Sequence, residues 1–273
     1  MTHLRSVAWK GGGRPERTDF PFAVPAIQTL EALSFAPGVT FFVGENGSGK
    51  STMLEGIAVA ASLPTVGAAE TNHDDLLAAQ RRLAKALQLT WSKRTRKGFF
   101  LRAEDFFGFQ KRVVQQQREL QDRLREIETS FADAPEKARG LARMPVNAEL
   151  GNIAARYGEN PDARSHGEAF LNLFLSRFQP GGLYLLDEPE AALSPQSQLA
   201  FLAMLFDFTA QQSQFIIATH SPIILAFPKA TIYNFDDPPV REAAYEELHH
   251  VRLTREFLSA PERFLRELKP GQQ

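Results

Sequence analysis

The chain has 273 residues, 43% of them apolar, with 22 Phe, no Cys and a formal net charge of −1. That composition suits one large α/β domain, or a core with an inserted subdomain. It excludes disulfides and thiolate metal sites and points to a reducing cytoplasm; apolar runs such as 215–218 and 223–227 are far too short to cross a bilayer, and residues 1–13 lack the apolar core of a secretory signal.

Gly11–Gly13 with Pro15, Pro21 and Pro25 predicts an opening segment of loops with short strands at most. Residues 39–43 form a β-branched and aromatic run, and a helical stretch follows at 51–61. Residues 69–89 read as a second helix, 92–98 as a basic turn and 99–103 as a strand. In 111–131 the apolar Val113, Leu120, Leu124, Ile127 and Phe131 recur at helical spacing, enough to pair with one neighbouring helix. Residues 132–161, rich in Ala, Gly and Pro, predict irregular chain. A helix resumes from His166 and stops at Pro180, ahead of two buried strands at 183–186 and 215–218. The end, from Ser259 through Pro261, predicts a capped terminal helix. Strands alternating with helices indicate a mainly parallel sheet covered on both faces.

Charge is unevenly spread. Between Arg81 and Arg125 thirteen Lys/Arg stand against four acids, while 236–247 is acidic. A basic stretch of this kind suits a polyanion, with a solvated charged face as the plain alternative. No base-reading module accompanies it, so any nucleic-acid binding is expected to be independent of sequence.

Three motifs carry chemistry. Between the 39–43 strand and its helix lies Gly44-Glu-Asn46-Gly47-Ser48-Gly49-Lys50-Ser51-Thr52, a G-x-x-x-x-G-K-[ST] loop. Backbone N–H groups of such a loop wrap phosphate oxygens at a helix N-terminus. Lys50 is expected to reach the β- and γ-phosphates of a nucleotide, and the Ser51 hydroxyl to ligate Mg²⁺. The strand 183–186 ends in Asp187-Glu188-Pro189-Glu190; Asp187 is placed to hold Mg²⁺ or its water, and Glu188 to take a proton from the attacking water. The strand 215–218 ends in Thr219-His220-Ser221-Pro222, where His220 can contact the γ-phosphate and orient that water with Glu188.

Together these motifs resemble the ATP-binding-cassette ATPase superfamily. The segment Arg164-Ser165-His166-Gly167-Glu168 replaces the transporter signature L-S-G-G-Q, and in this form resembles stand-alone AAA family ATPases allied to the SMC and RecF-like repair and defence branch. The resemblance, over about 39–222, implies a P-loop NTPase fold of the ABC-head type with an inserted helical subdomain. It divides the chain into a nucleotide-binding lobe (1–64), a helical insert (65–164), a lobe with signature, Walker B and switch His (165–240), and a helical tail (241–273). It implies an Mg²⁺-dependent ATPase that dimerises around ATP. Ser165, Gly167 and Glu168 would meet the nucleotide of the second subunit, and residues 191–194 would lie across the dimer interface. His166 and Glu168 depart from the transporter pattern. A Q-loop metal ligand is not evident; Gln110 is the choice, with Glu104 as the alternative. Phe20 or Phe22 could stack on adenine, though core packing suits them better, and His249-His250 reads as surface. The competing readings are a transporter's nucleotide-binding subunit and a non-hydrolysing switch. Against the first stand the missing L-S-G-G-Q and coupling-helix insert, and against the second the intact Glu188 and His220.

Overall fold

A computed structural model describes residues 3–12, 19–66, 78–157 and 166–268. Strand β1 (Leu4–Trp9) buries Leu4, Val7 and Trp9. It pairs antiparallel with β2 (Ala32–Ser34), which follows the short α1 (Pro25–Gln28), and on its other edge with β4 (Leu87–Trp91). This three-stranded sheet has the order β2-β1-β4. The opening segment thus holds a six-residue strand. The predicted 69–89 helix is corrected too: its described part, α3 (Ala78–Ala86), stops before Leu87, where the alternating Leu87-Gln-Leu89-Thr-Trp91 turns to strand because β1 offers it an edge.

The main sheet is built on β3 (Val39–Val43), followed by α2 (Lys50–Ala61), β5 (Gly98–Arg102), β6 (Leu183–Asp187) and β7 (Gln214–Ala218). With β8 (Thr231–Asn234) and β9 (Arg241–Glu242) it has the order β5-β6-β7-β3-β8-β9, parallel throughout except for β9. β3, β6 and β7 are buried along their whole length, the continuous apolar reading of strands covered on both faces. Alternation sends Phe41, Tyr184, Leu186, Phe215 and Ile217 to one face and Phe42, Leu185 and Ile216 to the other. On the first face pack α6 (His166–Arg177) and α7 (Pro195–Ala210), through Phe170, Phe174, Phe201 and Phe208. On the second pack α2, through Met53, Leu54 and Ile57, and the small sheet. Much of the Phe content is spent in this ring stack, whose centroids lie between 3.5 and 6.5 Å apart.

Two polar or backbone features set the registers. Gly98 has φ +120°, and a Cβ there would lie 1.8 Å from the Leu183 carbonyl oxygen, so only glycine lets β5 close on β6. Gln214, fully buried at the base of β7, accepts from the His3 and Leu4 N–H groups at 3.0 and 2.8 Å and donates to the Leu4 carbonyl at 2.9 Å. It ties the small sheet to the large one.

Beyond β5 the chain forms α4 (Ala103–Ser130) and α5 (Glu136–Tyr157), an antiparallel hairpin with its own cluster of Val113, Leu120, Val146 and Ile153. The irregular chain predicted for 132–161 is therefore corrected to a helix over Glu136–Tyr157, while 158–161 lie outside the described residues. Pro145 lies inside it, and a proline there removes a hydrogen bond and costs about 3 kcal/mol, while packing on α4 supplies what local propensity lacks. The stretch 65–164 holds β4 and β5 besides its helices. After β7 come α8 (Pro222–Leu225), α9 (His249–Ser259) and α10 (Pro261–Glu267); α10 starts on Ala260 and Pro261 without a side-chain cap.

Candidate active site

Parallel pairing places the C-terminal tips of β3, β6 and β7 side by side: Phe42 stands opposite Ala218, and Asp187 opposite Ala218 from the other side. This edge is where parallel sheets bind ligands. The loop 44–49 runs from β3 into α2 with Gly44, Gly47 and Gly49 at φ +148°, +86° and +105°. At Gly44 a Cβ would meet Ser48 Oγ at 2.8 Å and Asp236 Oδ1 at 2.9 Å, and at Gly49 it would meet Val24 Cγ1 at 2.7 Å. Around Gly47 there is open space and Asn46 is exposed, so that side of the loop faces outward.

Lys50, 3% exposed, bends back so that Nζ donates to the Gly44 and Glu45 carbonyls at 2.5 and 2.9 Å. Burial lowers its pKa, opposed by Glu188, Asp187, Asp236 and Glu190. Ser51 Oγ donates to Asp187 Oδ1 at 3.0 Å, while Thr52 is half-buried one residue on. Burial pushes the Asp187 carboxyl up to about 7, with the Ser51 hydroxyl pulling the other way. Arg102 also acts on the Asp187 carboxyl electrostatically, but the carboxyl's hydrogen-bond partner among the described residues is the Ser51 hydroxyl, and a hydroxyl plus a single carboxylate could hold Mg²⁺, which keeps several waters and substrate phosphates as ligands. Among the described residues no group of three or more His, Cys, Asp or Glu is placed to hold a metal by itself.

Glu188 follows with φ +49°, its N–H bonded to the Ala218 carbonyl at 2.9 Å. That left-handed turn swings its side chain away from Asp187 to within 3.6 Å of His220 Nε2. His220 is lowered below the usual imidazole range, first by burial and then by Lys50. Its Nε2 has no hydrogen-bond partner among the described residues. A carboxylate and an imidazole, both partly open, thus face one another beside the lysine.

The structure brings together Lys50, Ser51, Asp187, Glu188 and His220. Gly167, in the first turn of α6, packs against Ser197 and Ala192, where a Cβ would lie 2.5 Å from Ser197 Oγ. Glu168 is exposed, and Ser165 lies outside the described residues. Gln110 is placed elsewhere: it lines a small cavity between α4 and α6 with Phe106, Phe109, Val113 and Asn172. A 310 Å³ cleft beside Ser51, Asp187 and Glu188 is lined instead by Arg102, Glu104 and Phe107, so the alternative residue is the one at the site. The reason is geometric: α4 starts immediately after β5, and two helical turns carry residue 110 off the cleft. Phe22 is core, packed on Trp9, and Phe20 is half exposed.

Sequence reasoning missed three contributors. Asp236, just after β8, accepts the Glu45 N–H at 2.5 Å and shapes the loop. Arg102, paired in register with Asp187, makes a 2.6 Å ion pair with Glu55, whose carboxyl is raised by burial. His250 is not surface: α9 holds it half-buried with its ring 6.5 Å from that of His220 and its Nε2 unpartnered among the described residues. Only the acidity of 236–247 signalled any of these.

Four of the thirteen cations, Lys93, Arg94, Arg96 and Lys97, stand together in the β4–β5 turn. Arg82 and Arg125 are paired with Asp19 and Asp122, whereas the exposed Lys93, Arg94 and Arg96 side chains make no ion pair among the described residues. Arg94 and Arg96 flank a 390 Å³ cleft at the end of α2.

Residues 72–226, more than half of the chain, match the family described as "AAA domain, putative AbiEii toxin, Type IV TA system", and residues 25–76 match a second AAA-domain family. No match is found among curated proteins. Among solved structures the chain is similar to the Smc head domain of Pyrococcus furiosus bound to the C-terminal domain of ScpA (12% identity, 94% of this chain and 100% of that one, TM-score 0.46). It is also similar to a nucleotide-free ATP-binding cassette from an ABC transporter (15%, 96% and 97%, 0.43) and to the SMC head domain of Thermotoga maritima (15%, 89% and 99%, 0.39).

Proposed function

The chain belongs to the AAA-domain family and is a P-loop ATPase, and from that premise we propose that it hydrolyses ATP with Mg²⁺ in a head-to-tail dimer that acts on DNA, in maintenance or defence. The observation that carries the hydrolytic part is the pair of adjacent contacts at one strand edge: Ser51 on Asp187 at 3.0 Å, and Glu188 facing His220 at 3.6 Å. The first pair would hold Mg²⁺, which on binding neutralises phosphate charge. The loop N–H groups and Lys50 would hold the phosphates, Lys50 exchanging its two carbonyl partners for phosphate oxygens. Glu188 would take the proton of the attacking water, and His220 would hold that water and the γ-phosphate in line. A non-hydrolysing switch would need neither Glu188 nor His220.

Dimerisation is supported by the ABC-type signature segment, whose Gly167 packs against Ala192 and Ser197 beside the 191–194 stretch. A subunit carrying Lys50→Ala and one carrying Ser165→Arg should each be inactive alone. Mixed, they form dimers in which an intact loop meets an intact signature, and activity should partly return. No recovery in any mixture would refute the shared site.

The DNA part is supported by the exposed cations at the β4–β5 turn, of which Lys93, Arg94 and Arg96 make no ion pair among the described residues. Reversing Lys93, Arg94, Arg96 and Lys97 to Glu should flatten the slope of log affinity against log salt by about 3–4 units on duplex DNA while basal ATPase survives. A wild-type protein that retains no DNA at low salt, with or without ATP, would refute it.

A further inference from the structure

The hydrolytic scheme above leaves one carboxylate of the site without a task. Glu190 sits in the 3-10 turn Pro189–Ala192 that follows β6, and its Oε1 accepts the backbone N–H of His220 at 2.5 Å. Strand pairing cannot serve that N–H. The ladder from β3 ends with the Thr219 N–H on the Phe42 carbonyl, and from β6 with the Glu188 N–H on the Ala218 carbonyl. His220 is the first residue past both, and a half-buried donor left unpaired there would cost about 1–3 kcal/mol. The next residue is held separately: Ser221 Oγ donates to Gln198 Oε1, and Gln198 Nε2 donates to the Leu193 carbonyl at 3.1 Å. Both grips reach from the 190–198 segment to the tip of β7, but only that of Glu190 falls on His220 itself.

We propose that Glu190 is a positioning residue for hydrolysis: by holding the His220 N–H it fixes the angle at which the imidazole leaves the strand, and so keeps Nε2 opposite Glu188. The same bond makes the turn leading into 191–194 and the switch histidine move as one piece. The task needs an acceptor oxygen at that reach, not a negative charge. Burial raises the Glu190 carboxyl, and the bond from His220 counteracts it, so the acceptor is tuned by the contact it makes. This inference rests on the hydrolytic reading of the site.

Two measurements on the full chain test it. In nucleotide-free protein labelled with ¹⁵N, a short bond of this kind should place the His220 amide proton far downfield. Glu190→Ala should move it upfield and Glu190→Gln should largely keep it. In ATPase assays Glu190→Ala should lower kcat by between tenfold and about 10²-fold with KM for ATP little changed, since Lys50 and the loop are untouched. Glu190→Gln should stay within about threefold of wild type, and in a His220→Ala background Glu190→Ala should have no further effect on kcat. A Gln variant as inactive as the Ala variant would mean that the charge acts, and would overturn the proposal. So would an unmoved His220 amide, which refutes the grip even if the chain hydrolyses ATP. A moved amide with unchanged kcat overturns the positioning role. Absence of wild-type turnover fails the hydrolytic reading itself, and the proposal with it, whatever the amide shows. Should Glu190→Ala not fold, Glu190→Leu, which has similar bulk and no acceptor oxygen, takes its place in both measurements and in the His220→Ala background.

Discussion

Glu188→Gln should bind ATP within about threefold of wild type and lose turnover by about 10²–10⁴-fold, the usual contribution of a positioned base. Gln has the same shape, so the left-handed backbone at φ +49° and the approach to His220 are kept while the proton acceptor goes. On the proposed scheme Lys50, Ser51 and Asp187 would still hold nucleotide, so a dimer closed around ATP should accumulate and be visible by light scattering with ATP and Mg²⁺. Turnover near wild type would remove Glu188 from the role assigned to it.

Asp187→Asn should have two opposite effects. With Mg²⁺ and ATP, turnover should fall by orders of magnitude, because an amide is a poor Mg²⁺ ligand. In metal-free buffer the variant should instead be more stable than wild type. The Asp187 carboxyl rises from 3.8 to about 7 on folding because it is buried. The folded state therefore favours the protonated form. The cost of the charge is absent below about pH 4, grows as pH rises, and is complete above about pH 7. At 1.36 kcal/mol per unit its upper bound is about 4 kcal/mol, which corresponds to a Tm gain of several degrees at pH 8 in EDTA. The gain should vanish near pH 4. A variant melting at or below wild type at pH 8 would show that Asp187 is not held against its ionisation.

What the sequence showed and what it hid follow from range. The phosphate loop, the Asp187-Glu188 tip and His220 are contiguous motifs flanked by apolar strands, so their chemistry and their strand–loop–helix context lie within a dozen residues. β3, β6 and β7 are buried on both faces and read as unbroken apolar runs for the same reason. β4 was hidden because Leu87 and Leu89 continue the apolar spacing of the helix before them, and only the edge of β1, eighty residues away, turns them to strand. α5 was hidden by Pro145 and its Ala/Gly content, since its stability comes from α4. Asp236, Arg102 and His250 reach the site from separate elements, and no spacing rule links them to it.

The grip of Gln214 on His3 and Leu4 has a mechanical consequence. It anchors the base of β7 to a second sheet, while β3 and β6 flank the strand along its length. A piston stroke of β7 along its axis would break that anchor and both ladders together, and is closed to the molecule. Because Thr219, His220 and Ser221 are each tied in turn to Phe42, Glu190 and Gln198, the His220 ring is left its own side-chain torsions, or a joint shift of the tip with the 190–198 segment. The strand serves as a fixed mast, and the pennant at its tip turns on its own stem or together with the stay that holds it.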